Sequence, residues 1–390
     1  MKEESKLTRK KFVKGAALLG SAFALARPLR LLGEQSQDPH KYVHSRGYAA
    51  RNETGKLSPW KFDRRAVGDF DVLIDIKYSG VCHSDIHQLK GDWGPQKYPQ
   101  VPGHEIAGVV SAVGPKVTKF KVGDKAGVGC MVDSCGTCDS CKDGQEQHCE
   151  KGRTLFTYGY EDKSSPTGIT QGGYSTNIVV KEDFVIKIPS SMKLQDAAPL
   201  LCAGITTYSP LVKESIKKGD EIAVAGIGGL GHLAIKLAIS RGAKVHAFTT
   251  TKSKMEDIRG FGATPVFVES TKTLQSYAGK FDFLISTIPV NYDVGAYAST
   301  VKPNGTYTQV GMPKGGTLTV NNFAFAFNRV NFNASLIGGI PLTQEIVDYC
   351  AKKGIAPEIQ VIPASKINQS WQKVLNKEAR YRYVIDASTF

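Results

Sequence analysis

Glu221-Ile222-Ala223-Val224-Ala225-Gly226-Ile227-Gly228-Gly229-Leu230-Gly231 runs from a short apolar segment into a G-x-G-x-x-G loop, and a helical pattern follows over His232 to Ser240. The next strand-like segment is Lys244-Val245-His246-Ala247-Phe248. A strand, this glycine spacing and a helix within one βαβ unit are the fingerprint of a dinucleotide site. Gly226 allows the tight turn, Gly228 lets the backbone approach a pyrophosphate, and Gly231 lets helix pack on strand, with Gly229 and Leu230 completing the loop. The pyrophosphate then rests on the helix N-terminus, where unpaired N–H groups point outward.

The end of the second strand distinguishes the two nicotinamide cofactors. An NAD site places an acid there to hold the ribose 2′-hydroxyl, and that charge would repel a 2′-phosphate. Here the segment is Thr249-Thr250-Thr251-Lys252-Ser253-Lys254, with hydroxyls, two ammonium groups and no acid, so NADP(H) is expected. The competing reading is an exposed polar turn, since turns are rich in such residues.

Upstream, Gly80-Val81-Cys82-His83-Ser84-Asp85-Ile86-His87 and Val101-Pro102-Gly103-His104-Glu105 gather a thiol, three imidazoles, a hydroxyl and two carboxylates within 26 residues. Catalytic zinc takes three N/S ligands and keeps one position open. Cys82 and His104 supply two, and Cys202 is the best candidate for the third; alone it would read as a buried core thiol. Cys135-x2-Cys138-x2-Cys141-x7-Cys149 is the strongest single motif, four thiolates at short spacing that close around one ion and leave no open position. The spacing partly matches ferredoxins, but the step of three residues to a Cys-Pro is missing. A disulfide framework is the remaining alternative. Cys130 and Cys350 are left over as core or loop thiols.

The G-V-C-H-S-D-I-H, G-D-W-G and Y-P-x-V-P-G-H-E-I-A-G segments together resemble the zinc-dependent medium-chain alcohol dehydrogenases, and within them the cinnamyl alcohol dehydrogenase-like NADP-dependent branch. The resemblance runs from about Tyr42 to Tyr381-Arg382-Tyr383-Val384-Ile385-Asp386. It implies an α/β protein with a β-rich part: a GroES-like catalytic domain at 35–190 and 334–390, interrupted by a Rossmann domain with a doubly wound parallel sheet at 191–333. Two zinc ions per chain are implied, one catalytic on Cys82, His104 and Cys202 with Glu105 as an occasional ligand, and one structural on the four-cysteine lobe. Asp85 would partner His104, and Ser84 with His87 would relay a proton. Thr250, Thr251 and Lys254 fit the branch's cofactor-selecting cluster. The implied activity is NADPH-dependent reduction of aldehydes to primary alcohols, reversibly, by a homodimer. Trp93 would wall the substrate pocket, or else fill a core. Two other functions compete, reduction of an activated C=C bond and a non-catalytic zinc- and nucleotide-binding role.

Strand patterns fill the first half at Asp71–Tyr78, Ile106–Val113, 174–180 and 184–188. Beyond the second nucleotide-domain strand, a strand at 282–287, a helix at 292–301, a turn at Lys302-Pro303-Asn304, a strand at 305–311 and a helix at 343–352 are expected. The length suits two domains, and the composition, 41% hydrophobic and 22% charged, is that of a soluble globular chain. The net charge of +14 is spread along the chain with no Arg-rich arm or nucleic-acid motif, so nucleic-acid binding is not expected.

Residues 1–30 read as a leader outside the fold. Thr8-Arg9-Lys10-Lys11-Phe12-Val13-Lys14 resembles the bacterial twin-arginine export signal, with Lys10 in place of the second arginine. The apolar stretch behind it is too short for a stable membrane span and ends in an Ala-x-Ala pattern, so cleavage after Ala26 and a periplasmic destination are expected. Against this, NADPH is a cytoplasmic reductant, and a cytoplasmic location is the alternative.

Overall fold

Two sheets divide the chain in the computed structural model, which describes residues 42–390. The leader expected at 1–30 lies outside the described residues. The first sheet has seven strands. Its path runs Ile359–Pro363, Arg382–Asp386, Asp71–Gly80, Ile106–Val113, Lys125–Val128, Ile186–Lys187, and Asn177–Lys181 pairs onto Asp71–Gly80. Val72, Ile74 and Ile76 alternate inward along Asp71–Gly80, the period-2 pattern of a strand with one face on a core. A hairpin of Tyr42–Ala50 and Leu57–Arg65 stands beside this sheet.

The second sheet is parallel throughout, in the order Thr264–Phe267, Lys244–Thr249, Glu221–Ala225, Phe281–Ser286, Val301–Gln309, Asn331–Ala334. Numbered along the chain this is 3-2-1-4-5-6, the doubly wound arrangement whose ligand crevice lies where the order reverses, beside Glu221–Ala225. That strand's Ile222, Ala223, Val224 and Ala225 are fully buried because helices cover both faces. One apolar core continues from Ile186 and Ile188 of the first sheet through Leu200, Leu201 and Tyr208 to Val224, Leu233 and Ile285 of the second. The two halves therefore share a packed floor under the cleft between them.

Several expected boundaries shift. The segment expected as a strand at 174–180 enters its sheet only at Asn177–Lys181, because the Tyr174 carbonyl accepts from Tyr48 N–H and Thr176 N–H donates to the Arg46 carbonyl, tying this stretch to the first hairpin instead. The strand expected at 184–188 shortens to Ile186–Lys187 behind a tight turn at Glu182–Phe184. The helix expected at 292–301 is only Val294–Ala298, and the turn at 302–304 lies inside the strand Val301–Gln309 as an irregularity, with Asn304 at φ +65° and a register shift against Phe281 and Phe283. The last long helix is Ile340–Lys353. It starts earlier than expected because Pro341 is tolerated in a first turn, and Gly354 at φ +66° ends it. Among the described residues no helix is long and apolar enough to cross a membrane.

Candidate active site

Cys82 follows the strand Asp71–Gly80 after one residue, Val81, and caps the short helix His83–Leu89. Asp85 closes the cap by accepting from the Cys82 N–H at 3.0 Å. The same carboxylate accepts from Gly103 N–H at 3.2 Å and from the Tyr174 hydroxyl at 2.9 Å, and it sits 3.1 Å from His104 Nδ1. Fully buried, Asp85 thus fixes two loops and orients the His104 ring so that Nε2 faces the thiols. Cys202 arrives from the other direction, at the N-terminus of the helix Ala203–Lys213.

These residues converge. His104 Nε2 lies 3.2 Å from Cys202 Sγ, the Cys82 and Cys202 sulfurs are 3.9 Å apart, and the ligand atoms of Cys82, His104, Glu105 and Cys202 all fall within 4.8 Å of one another. Two thiolates on one tetrahedral zinc sit about 3.8 Å apart at the usual bond length, so the donor set fits that ion. Glu105 Oε1 is held by Arg382, while its Oε2 is buried with no protein partner. Burial raises the Glu105 carboxyl to about 8 even with Arg382 beside it. The Cys82 thiol is held low by the bond from Cys202, against its burial, with Arg382 nearby.

The four-cysteine lobe has the same character. Cys135 and Cys141 sulfurs are 3.8 Å apart, Cys138 and Cys149 3.9 Å, and all four ligand atoms lie within 4.8 Å. These distances suit four thiolates on one ion and exclude S–S bonds of about 2.05 Å. Backbone N–H groups of Thr137 and Cys138 point at Cys135 Sγ and hold that thiol at about 5, ready to ligate.

On the nucleotide side, Gly226 takes φ +85°, and a Cβ on Gly231 would lie 2.1 Å from the Gly226 carbonyl oxygen. A Cβ on Gly228 would meet nothing within 4 Å. The turn and the helix packing therefore need glycine, and the Gly228 face is open to a ligand, as a pyrophosphate cradle requires. Thr249, Thr250, Thr251 and Lys254 line the same cleft, with Gly229 and Leu230. Lys254 is not a free cation: its Nζ donates to the Ile227 carbonyl at 2.7 Å, and burial, with Arg380 and Lys377 close by, pulls it down to about 8.

One cleft of about 890 Å3 holds both groups of residues, with Cys82, Ser84, His87, His104 and Cys202 facing the glycine loop. Ser84 and His87 lie one helical turn apart. Trp93, at 36% exposed, belongs to the cleft wall and not to a core; Phe156, Tyr158, Tyr160, Leu336 and Ile337 extend that apolar wall.

Four contributors escaped the sequence reading. Cys130, set aside there as a leftover thiol, lies against Cys202 and lines the cleft. Arg382 donates to Glu105 and to the Val81 carbonyl, and its guanidinium would meet a Cβ on Gly229 at 2.8 Å. Lys377 lines the cleft, and Arg380 donates to Ser253 at 2.9 Å. Each comes from a segment distant in sequence from the group it joins, and no local spacing announces it.

Residues 68–190 match the alcohol dehydrogenase GroES-like domain, and residues 229–352 match the zinc-binding dehydrogenase family. NADP-dependent alcohol dehydrogenase C 1 of Mycolicibacterium smegmatis is 47% identical over 343 residues, covering 88% of this chain and 97% of the relative. Mannitol dehydrogenase of Apium graveolens is 43% identical, covering 88% and 94%. The crystal structure of CAD from Helicobacter pylori complexed with NADP(H) superimposes with a TM-score of 0.84 at 43% identity, covering 89% and 99%.

Proposed function

Because the chain belongs to the zinc-dependent alcohol dehydrogenases, we propose that it reduces aldehydes to primary alcohols, reversibly, with NADPH as the hydride donor. The observation that carries this reading is the single cleft in which the Cys82, His104 and Cys202 donors face the glycine loop. When bound, zinc supplies a Lewis acid for a carbonyl oxygen and NADPH supplies a hydride.

The chain's own residues do the rest. Cys82, His104 and Cys202 hold the metal, and Asp85 locks the His104 ring. The Gly226 to Gly231 loop seats the pyrophosphate. Thr250, Thr251 and Lys254, joined by Lys377 and Arg380, form a cationic, hydroxyl-rich corner for the 2′-phosphate. Ser84 Oγ would give its proton to the product oxygen, and His87 would return a proton to Ser84. The apolar wall from Trp93 to Ile337 favours flat or apolar aldehydes. Reduction of an activated C=C bond would leave Ser84 and His87 without a task. NADPH consumption across a panel of aldehydes and enones, with and without a chelator, tests the reading: aldehyde turnover lost on chelation is expected, and turnover confined to enones would overturn it.

Two further properties belong to this proposal. The outer edge of Asn331–Ala334 has no neighbouring strand among the described residues, and beside it Phe323 and Phe327 are 72% and 84% exposed with their rings 6.2 Å apart. An open sheet edge flanked by exposed aromatics supports pairing with a second copy. Light scattering should give twice the chain mass for the protein and a smaller mass for Phe327→Asp. The twin-arginine-like stretch Thr8 to Lys14 supports export to the periplasm by a route that carries folded, metal-loaded proteins.

A further inference from the structure

Two loops from opposite halves of the chain meet at the cleft wall. Trp93 Nε1 donates to the Pro313 carbonyl at 3.2 Å, Gly315 N–H donates to the Asp92 carbonyl at 3.1 Å, and Lys314 Nζ lies 2.9 Å from Asp92 Oδ1. The second carboxylate oxygen of Asp92 is 2.7 Å from His87 Nδ1. We propose that Lys314 is a positioning residue for proton transfer: reaching across from the nucleotide-binding half, it fixes the Asp92 carboxylate and through it the His87 ring, so that the relay is aligned only while the two halves touch. The proposal rests on the reading of His87 as a proton relay.

The geometry leaves little freedom. A carboxylate only accepts, so His87 Nδ1 must carry the proton it shares with Asp92, which leaves Nε2 as the exchanging nitrogen. That atom is buried and has no protein partner, so it is aimed into the site and not at bulk water. The ring is held between His83, stacked at 4.7 Å, and Trp93 at 5.2 Å. Burial alone would raise the Asp92 carboxyl, but the bonds from His87 and Lys314 outweigh it and hold the group below the usual range. With one oxygen claimed by the ammonium, the other is aimed at the imidazole; without Lys314 the carboxylate can rotate and the ring with it.

Lys314 is the exposed member of this chain, at 78%, and exposed ion pairs add little to stability. A tie this weak can open and close without disturbing either half. The same contact therefore costs the fold almost nothing when broken and reports to His87 when made.

Single-turnover rates at saturating NADPH, steady-state constants and thermal midpoints of the zinc-loaded protein test this in Lys314→Met, Lys314→Arg and His87→Gln. Lys314→Met should slow the single turnover about tenfold, a part of what general acid–base catalysis contributes, with KM for NADPH and the midpoint unchanged. Lys314→Arg should restore most of the rate. Normal turnover in Lys314→Met with a slow His87→Gln overturns the positioning role and leaves the relay standing. Normal turnover in His87→Gln overturns the relay reading and this proposal with it. A defect that arginine does not restore, or one that falls on KM for NADPH, assigns Lys314 to loop structure or to the cofactor and also overturns it.

Discussion

Arg382 Nη2 donates to Glu105 Oε1 at 2.7 Å, with the two side chains 5% and 0% exposed. The pair joins the strand at the end of the chain to the residue beside the metal donors, and Arg382 Nη1 continues to the Val81 carbonyl at 3.2 Å. With burial holding the Glu105 carboxyl up at about 8, loss of Arg382 leaves a protonated, unpartnered buried carboxyl, at a cost of about 1–3 kcal/mol. Arg382→Met should therefore lower the unfolding free energy by about that amount and weaken zinc retention. Denaturant unfolding and metal analysis check both, and an Arg382→Met protein as stable as the parent would contradict the role assigned to the pair.

The protein should bind two zinc ions per chain. Cys202→Ser should remove one ion and abolish turnover. Cys138→Ser should remove the other and chiefly lower the thermal midpoint, because a closed site contributes its binding free energy to folding. One ion per chain in the parent, or iron with visible absorbance, would disprove the two-zinc assignment.

Cofactor preference should depend on pH. Lys254 is held at about 8, so it is a cation below that pH and loses its proton as pH rises through it. A 2′-phosphate needs the cation. KM for NADPH should therefore rise between pH 7.5 and about 9.5, while KM for NADH, which lacks that phosphate, stays flat. Lys254→Glu should raise KM for NADPH at every pH and hardly touch NADH. Parallel pH profiles for the two cofactors would refute this.

Ser84→Ala should lower kcat for benzaldehyde-like substrates by about 10² or more with the zinc content intact, the usual scale of general acid–base catalysis. Survival of turnover would remove Ser84 from the relay.

Cells expressing the intact chain should carry the processed protein in the periplasm, and Arg9→Ala should retain it in the cytoplasm. Fractionation with blotting reads this directly. Full-length protein confined to the cytoplasm and indifferent to Arg9→Ala would reject export.

Local chemistry was legible in the sequence, and long-range chemistry was not. Gly226 to Gly231 announced its turn, cradle and helix contact because all three functions lie within six residues. Cys135 to Cys149 announced a closed ion site for the same reason. Cys202 was placed beside Cys82 only through resemblance, since 120 residues separate them. Arg382, Lys377 and Arg380 were missed because nothing near them marks a site; their function exists only once the C-terminal strand returns to the first sheet. Lys254 was read as a phosphate ligand from its place after the strand, and its bond to the Ile227 carbonyl could not be read from that position. The short helix at Val294–Ala298 was overestimated because Tyr292 to Val301 has helical character that Thr300 and Val301 give up to reach the neighbouring strand.

The strand Arg382–Asp386 lies inside its sheet, between Ile359–Pro363 and Asp71–Gly80. Arg382 and Glu105 are 277 residues apart in the chain. A ribosome adding about 5–20 residues per second takes roughly 14 to 55 s to cover that span. Through that interval the Cys82 and His104 segments wait without their neighbour strand, so this half of the protein cannot mature during synthesis. Closure of the sheet beside Glu105 then waits for this strand, and a stop codon ten residues early would remove Arg382–Asp386 and leave that sheet open between Ile359–Pro363 and Asp71–Gly80.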